Sequence, residues 1–327
     1  MAYKSTDGLM RHLRYHGITI GGSTEKRQLR NTGYFHGYKG YRFFSSSQNK
    51  IPFTTFSEVY ATIQYDSKLK ALLYDKIMFI ETAVKNIALE GILHKTKSES
   101  IQAMYDIAVS SYINSDPALP EKARKEMQKD KLNLQNRVQN YLLDAYTKGN
   151  PQITHFYNNM SYSGVPVWAL FEIMTMGDVG FLLSCLTYDT RKDISKRLGI
   201  LNTAVDTNLQ LIYKYIYALK DLRNAVAHNA VVFDTRFRKF DPTSAMKRYL
   251  EAEIGLPYVT FKTFGDYIIL ICHYLKKLGV PKTEIKAFIR EFEKIVADYK
   301  TQVAPNIADI VIHPDWMTRM ETLKKYL

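Results

Sequence analysis

Hydrophobic residues recur at steps of three and four along most of the chain, which is the pattern of amphipathic helices. The longest such segment runs from Thr54 to about Lys95, with Asp66-Ser67 as a candidate kink or restart, and a second strong segment follows Asp206. Further helices are predicted over Leu9–His16, from Ser23, over 121–148, from Pro166 with an interruption at Gly177-Asp178, over Thr190–Leu198, over Phe264–Leu278 and over Pro281–Tyr299. The glycine-rich stretch from Gly33 to Gly40 is expected to be a turn or irregular. No segment is comparably rich in strand signals, so the sequence predicts an all-α fold.

Positive charge is concentrated near the N-terminus. The chain has 45 Lys and Arg against 32 Asp and Glu, a net charge of +13, and residues 1–50 contain nine basic and two acidic side chains. Aromatic residues alternate with these cations, which suggests an RNA surface where cations bind phosphates and rings stack on unpaired bases. The candidate RNA-binding residues are Arg11, Arg14, Arg27, Arg30, Lys39, Arg42, Tyr38 and Tyr41. The alternative is that the rings belong to the core and the cations form a solvated rim.

Several classes of site have no support in the sequence. The only cysteines, Cys185 and Cys272, are too few for a disulfide framework or a thiolate zinc site, and they favour a reducing, cytosolic setting. No glycine-rich phosphate loop, His-Glu-x-x-His motif or nucleophile elbow is present, so neither a metal nor a cofactor is expected. No secretory signal and no apolar run long enough to span a membrane is expected either. His313-Pro-Asp-Trp316 is interpreted as a turn.

The segment with the most distinctive chemistry is Asp221–Asn229, at the end of the second strong helix. It places Arg223 and Asn224 shortly before His228. Cleavage of RNA without a metal needs a base for the 2′-hydroxyl proton, an acid for the leaving oxygen and a cation for the phosphate. Histidine, which titrates near pH ~6.5, can serve as base or acid, and arginine can hold the phosphate.

Two other pairs have similar spacing, namely Arg11 with His16 and Arg30 with His36. The pair Arg223 and His228 is preferred because a long amphipathic helix gives it rigid support. The alternative for that pair is a surface arginine and a helix-terminal histidine that interacts with the helix dipole.

Helix geometry sets a constraint on this pair. Five residues at ~100° per residue place Arg223 and His228 about 140° apart, whereas Asn224 and His228 share a face. The two side chains can meet at one phosphate only if the helix unwinds between them or if a second copy of the chain contributes, as in a two-fold dimer.

Three blocks of the sequence resemble the abortive-infection (AbiD/AbiF, Abi-like) branch of the HEPN ribonucleases. The motif Arg-Asn-x-x-x-His itself is similar to the HEPN signature. The blocks are Leu29-Arg-Asn-Thr-Gly-Tyr-Phe-His-Gly-Tyr-Lys-Gly-Tyr-Arg-Phe43; Phe56-Ser-Glu-Val-Tyr60 with Tyr65-Asp-Ser-Lys-Leu69 and Phe79-Ile-Glu-Thr-Ala-Val-Lys85; and Val167–Asp178 with Leu219–Asn229. They lie in the order of the family and cover roughly residues 9–235. Two departures are Asn229, where the family often has a second histidine, and Thr32-Gly33, where it tends to have two tyrosines.

The resemblance implies a HEPN helical bundle and a metal-independent endoribonuclease with a composite site at a homodimer interface. It carries over onto Arg223, Asn224 and His228. It also implies a toxin of bacterial phage defence, and for some relatives a small structured RNA as antitoxin. Three consecutive regions follow, a basic aromatic-rich segment over 1–50, a HEPN-like core over 51–240 and a C-terminal helical region over 241–327. A non-catalytic module that holds a structured RNA remains the alternative function.

Overall fold

The computed structural model describes residues 5–327, and within them the chain is helical with isolated β-bridges but no β-sheet. The all-α prediction is therefore confirmed. The helices are α1 (Thr6–Tyr15), α2 (Gly22–Thr32), α3 (Phe56–Thr96), α4 (Ile101–Ala103), α5 (Glu121–Thr147), α6 (Pro151–Asn158), α7 (Val167–Ile173), α8 (Met176–Cys185), α9 (Tyr188–Arg197), α10 (Leu211–Ala227), α11 (Ser244–Ile254), α12 (Phe264–Lys277), α13 (Lys282–Gln302), α14 (Pro305–Val311) and α15 (Trp316–Tyr326).

The predicted long helix is α3, which continues for 41 residues without a break at Asp66-Ser67. Its N-terminus is fixed by a capping box. The Glu58 carboxylate accepts the backbone N–H groups of Thr54 and Thr55 at 2.9 and 3.0 Å, and Thr55 Oγ1 accepts the N–H of Glu58 at 3.3 Å. These bonds satisfy backbone donors that a helix start would otherwise leave unpaired.

Other predicted boundaries shift for local reasons. The stretch expected to be irregular contains a π-helical segment over Tyr34–Lys39. The helix after Pro166 ends at Ile173 rather than at Gly177, because Thr175 caps α8 by accepting the N–H of Asp178 at 3.3 Å. Hydrophobic periodicity does not predict five of the short helices, α4, α6, α11, α14 and α15. Most of them have too few turns for a clear pattern.

The chain groups into two compact units that interleave along the sequence. The first contains the described residues up to Met78, Asp221–Pro242 and Leu250–Leu327, and the second contains Phe79–Lys220 and Thr243–Tyr249. In the first unit, α12 is buried from Asp266 to Leu275 and contacts α13 and α15. In the second, α5 contacts α6, α7 and α8. Among the described residues, no helix has the length and apolarity needed to cross a membrane.

A histidine in the core of the first unit is expected to make the folded protein less stable in acid. His273 on α12 is fully buried and shares a hydrogen bond with the Tyr326 hydroxyl at 3.0 Å. Burial, with Lys277 and Lys276 nearby, lowers the pKa of His273 to about 3, below the ~6.5 of an unfolded chain. Between pH about 3 and pH ~6.5, the unfolded state therefore binds one proton more at this histidine than the folded state does. We therefore expect the free energy of unfolding to decrease as the pH falls through this range, by up to ~1.4 kcal/mol per pH unit from this group.

Urea unfolding of the wild type and of His273→Gln between pH 4 and 7 would measure this effect. The glutamine variant should show a shallower decrease with falling pH. Parallel curves for the two proteins would contradict the assignment.

Candidate functional site

The predicted catalytic residues lie at the C-terminal end of α10. This end of the helix belongs to the first unit, and its Leu222 and Ala225 are buried. Arg223 is partly exposed, and Asn224 and His228 are exposed. Arg223 Nη1 donates to Asn224 Oδ1 at 3.4 Å, and Asn224 shares a helix face with His228. Asn224 is therefore the neighbour of both other residues, of Arg223 through the hydrogen bond and of His228 through the shared face.

Helical hydrogen bonding continues up to His228. The His228 N–H donates to the Asn224 carbonyl at 3.0 Å, so α10 does not unwind between Arg223 and His228. The N–H of Ala230 then bonds to the Ala225 carbonyl at 2.8 Å and that of Asn229 to the Val226 carbonyl at 3.3 Å. This pair of bonds is a Schellman motif, with His228 as the C-cap. The separation of about 140° predicted for Arg223 and His228 therefore applies.

Asn229 has two structural roles at the end of α10. Its φ is +52°, in the left-handed region that asparagine tolerates better than most residues. Its side-chain oxygen also accepts a hydrogen bond from Lys70 Nζ at 2.6 Å. Asn229 thus ends α10 and connects it to α3.

A buried carboxylate on α3 fixes the segment that follows the motif. Asp66 Oδ1 accepts the backbone N–H groups of Val232 and Phe233, both at 2.8 Å. Its Oδ2 accepts the Tyr41 hydroxyl at 2.8 Å and forms an ion pair with Lys70 Nζ at 3.0 Å. Since the side chain of Asp66 is fully buried, all its interactions are made inside the protein. The position of His228 therefore depends on Asp66, although the two are far apart in sequence.

Two further carboxylates hold the same segment. Asp221 Oδ2 accepts the backbone N–H groups of Lys239 and Phe240 at 2.8 and 2.7 Å. Asp234 Oδ2 accepts the N–H of Ser45 at 2.7 Å and is paired with Arg236. Arg236 in turn donates to the backbone carbonyls of Gly40, at 2.7 Å, and of Phe43. The glycine-rich block near the N-terminus and the motif segment are therefore joined in one unit.

The basic candidates for RNA binding are mostly accessible. Arg11 and Arg14 on α1 and Arg27 and Arg30 on α2 are exposed, and Arg14 Nε donates to the Ile20 carbonyl at 2.8 Å. The other two are partly exposed and lie over aromatic rings. Lys39 Nζ is 4.6 Å from the centre of the Phe35 ring, and the Arg42 guanidinium is 4.5 Å from that of Phe43.

The two candidate tyrosines are in the core, contrary to their predicted role as base platforms. Tyr38 is 2% exposed and Tyr41 5%. Burial, followed by the charge of Asp66, raises the pKa of Tyr41, which keeps its hydroxyl protonated as a donor to Asp66. Among the described residues of this region, Tyr15 and Phe35 are exposed instead, at 86% and 69%. No sequence pattern predicts which rings are buried, because rings and cations alternate throughout residues 34–44.

No three His, Cys, Asp or Glu side chains within residues 5–327 are grouped so that they could hold a metal ion. The model of one protein family, described as Abi-like protein, matches residues 27–234, which include the N-terminal block, α3 and the whole of α10. No curated protein and no solved structure matches the chain.

Proposed function

Because the chain belongs to the Abi-like family, whose model matches more than half of its length, we propose that it acts in abortive infection as an endoribonuclease. The observation that carries this proposal is the end of α10. There an exposed histidine lies at the C-cap, beside an arginine and an asparagine, and hydrogen bonds from α3 fix the segment that follows. An accessible acid–base group on a rigid support is what RNA cleavage requires.

In the proposed reaction the ribose 2′-oxygen attacks the adjacent phosphorus and the bond to the 5′-oxygen breaks. His228 takes the 2′-hydroxyl proton or supplies a proton to the leaving 5′-oxygen. Arg223 stabilises the negative charge on the phosphate, and Asn224, which accepts from Arg223 Nη1, orients the guanidinium. The products are a 2′,3′-cyclic phosphate and a 5′-hydroxyl.

We infer that two copies of the chain form the site. Arg223 and His228 point in directions about 140° apart on a regular helix, so the arginine of one copy would meet the histidine of the other. A two-fold dimer supplies two arginines and two histidines to one cleft, which allows one histidine to act as base and the other as acid.

The nature of the RNA ends tests the proposed chemistry. Purified protein incubated with RNA in EDTA should yield 2′,3′-cyclic phosphate and 5′-hydroxyl ends, because neither histidine nor arginine needs a metal for this reaction. Ends can be identified by mass spectrometry of the fragments. Cleavage that requires Mg²⁺, or that leaves 3′-hydroxyl ends, would exclude the mechanism.

The exposed cations of α1 and α2 favour RNA binding by this surface, whether the RNA is a substrate or a small structured antitoxin. In His228→Ala protein, which separates binding from cleavage, Arg27→Ala combined with Arg30→Ala should weaken RNA binding. We expect the slope of log affinity against log salt to be less steep by about 1.4 for two lost phosphate contacts to single strands. Lys294→Ala with Lys300→Ala, two exposed cations of α13, is the matched control. Equal slopes for the two double variants would place the RNA elsewhere.

A further inference from the structure

The first unit contains an aromatic cavity of about 130 Å³. Its walls include the rings of Phe44, Phe233, Phe264, Phe292 and Trp316, of which the middle three are buried. Exposed Lys262 and Asp309 also line it, so the cavity reaches the surface. Phe233 belongs to the segment that Asp66 fixes after the motif, whereas Phe264, Phe292 and Trp316 come from α12, α13 and α15.

A buried guanidinium with an unused donor lines the same cavity. Arg319 is only 3% exposed, and one of its terminal nitrogens, Nη2, is paired with Asp266 and donates to the Tyr258 carbonyl at 3.3 Å. Nη1 donates to Thr263 Oγ1 at 3.4 Å, but the buried Nε–H has no hydrogen-bond partner. Buried donors in folded proteins are nearly always satisfied, so the group lacks an acceptor.

The cavity is larger than one water needs, since one water takes roughly 10–15 Å³ of such volume. Its lining combines the aromatic rings with polar side chains, among them Lys262, Asp309, His313 and Arg319. A cavity of about 150 Å³ with apolar walls takes up benzene, so this one has room for a single six-membered ring. A flat ring with acceptor atoms on its edge would fit both the aromatic walls and the unpartnered Arg319 donor.

We propose that this cavity binds a pyrimidine base, from a free nucleotide or from an RNA chain. The ring stacks on the aromatic walls, and a base carbonyl accepts from Arg319 Nε. Lys262, at the rim, neutralises the phosphate that follows the base. A purine, with two fused rings, needs more room than the single ring that a cavity of this size takes up. The cavity would thus give the protein a preference for uridine or cytidine that the motif on α10 does not provide.

Calorimetric titration of the His228→Ala protein tests the proposal without any cleavage, so that its outcome is independent of the proposed nuclease activity. We expect UMP or CMP to bind at least tenfold more tightly than AMP and GMP, and ribose 5-phosphate, which lacks a base, not to bind. Equal binding of purines, or no binding of either pyrimidine nucleotide, would overturn the proposal. Binding of p-cresol alone would overturn it in favour of a tyrosine from a partner protein.

Variants test the site itself. Val296→Phe, which fills the cavity from α13, should abolish pyrimidine binding, and Lys262→Ala should weaken UMP binding about tenfold. Lys294→Ala, an exposed cation on α13 outside the lining, should have no effect. Thermal unfolding of each variant would show that it is folded. Undiminished binding by folded Val296→Phe would exclude this cavity.

A 2′-O-methyl oligouridine, which cannot be cleaved, distinguishes the two sources of the base. If an RNA base enters the cavity, the oligonucleotide should displace UMP from the wild-type protein. Val296→Phe should then weaken the binding of the oligonucleotide. If the natural ligand is a free nucleotide, UMP should bind and the oligonucleotide should not displace it.

Discussion

Replacing His228 with alanine is expected to reduce RNA cleavage by about 10²–10⁴-fold, the usual contribution of a general acid–base group. His228 is exposed at the C-cap of α10. The loss of cleavage should therefore come without a change in the free energy of unfolding. Initial rates of cleavage of a labelled RNA, together with thermal unfolding of both proteins, would measure the two effects.

His36→Ala is the matched control, because His36 is also exposed and belongs to the competing pair with Arg30. Its cleavage rate should equal that of the wild type. A loss with His36→Ala and none with His228→Ala would move the site to the N-terminal block.

Mixing inactive Arg223→Ala with inactive His228→Ala should restore part of the activity, because each copy then supplies the group that the other lacks. No recovery from a mixture shown to contain heterodimers would argue against a shared site.

Asp66→Ala is expected to cost about 3–5 kcal/mol of folding free energy, the largest effect on stability that we predict. The substitution leaves the N–H groups of Val232 and Phe233 buried without an acceptor and removes the partner of Lys70 and Tyr41. Each unsatisfied buried group carries the cost of its lost hydration. Urea unfolding would measure the change, and RNA cleavage should fall as well, since the segment after His228 loses its attachment.

Asp75→Ala provides the comparison within the same helix. Asp75 is exposed and paired with its neighbour Lys76, so its loss should change stability by less than ~0.5 kcal/mol. Asp66→Asn, which keeps one acceptor oxygen, should lie between the two. If Asp66→Ala proved as mild as Asp75→Ala, the proposed role of the carboxylate would be wrong.

The sequence predicts the long helices well, because periodicity over many turns leaves little ambiguity. The bounds of α3, α5, α12 and α13 lie within a few residues of those expected, and the position of the motif at the end of α10 follows from the same pattern. The interactions that fix the motif segment could not be predicted. Asp66 lies 166 residues before the backbone amide of Val232 to which it binds, and a lone aspartate in a helix gives no sign of such a partner.

The aromatic residues show a second limit. Tyr38 and Tyr41, which each precede a cation and were the expected RNA-binding rings, are buried, whereas Phe35, which does not precede a Lys or Arg, is exposed. The difference depends on the π-helical turn over Tyr34–Lys39 and on the hydroxyl partner of Tyr41, both of which require the folded chain.

The interleaving of the two units also bears on how the protein is made. The second unit is complete once Thr243–Tyr249 has been synthesised, whereas the unit that carries His228 also needs Leu250–Leu327. Since α12 forms much of its interior, a nascent chain that has reached the motif still lacks the core that supports it. Domains tend to fold as their residues emerge, so the unit that carries Arg223 and His228 should mature last. Interrupted synthesis would then release chains that carry the motif without the fold that supports it.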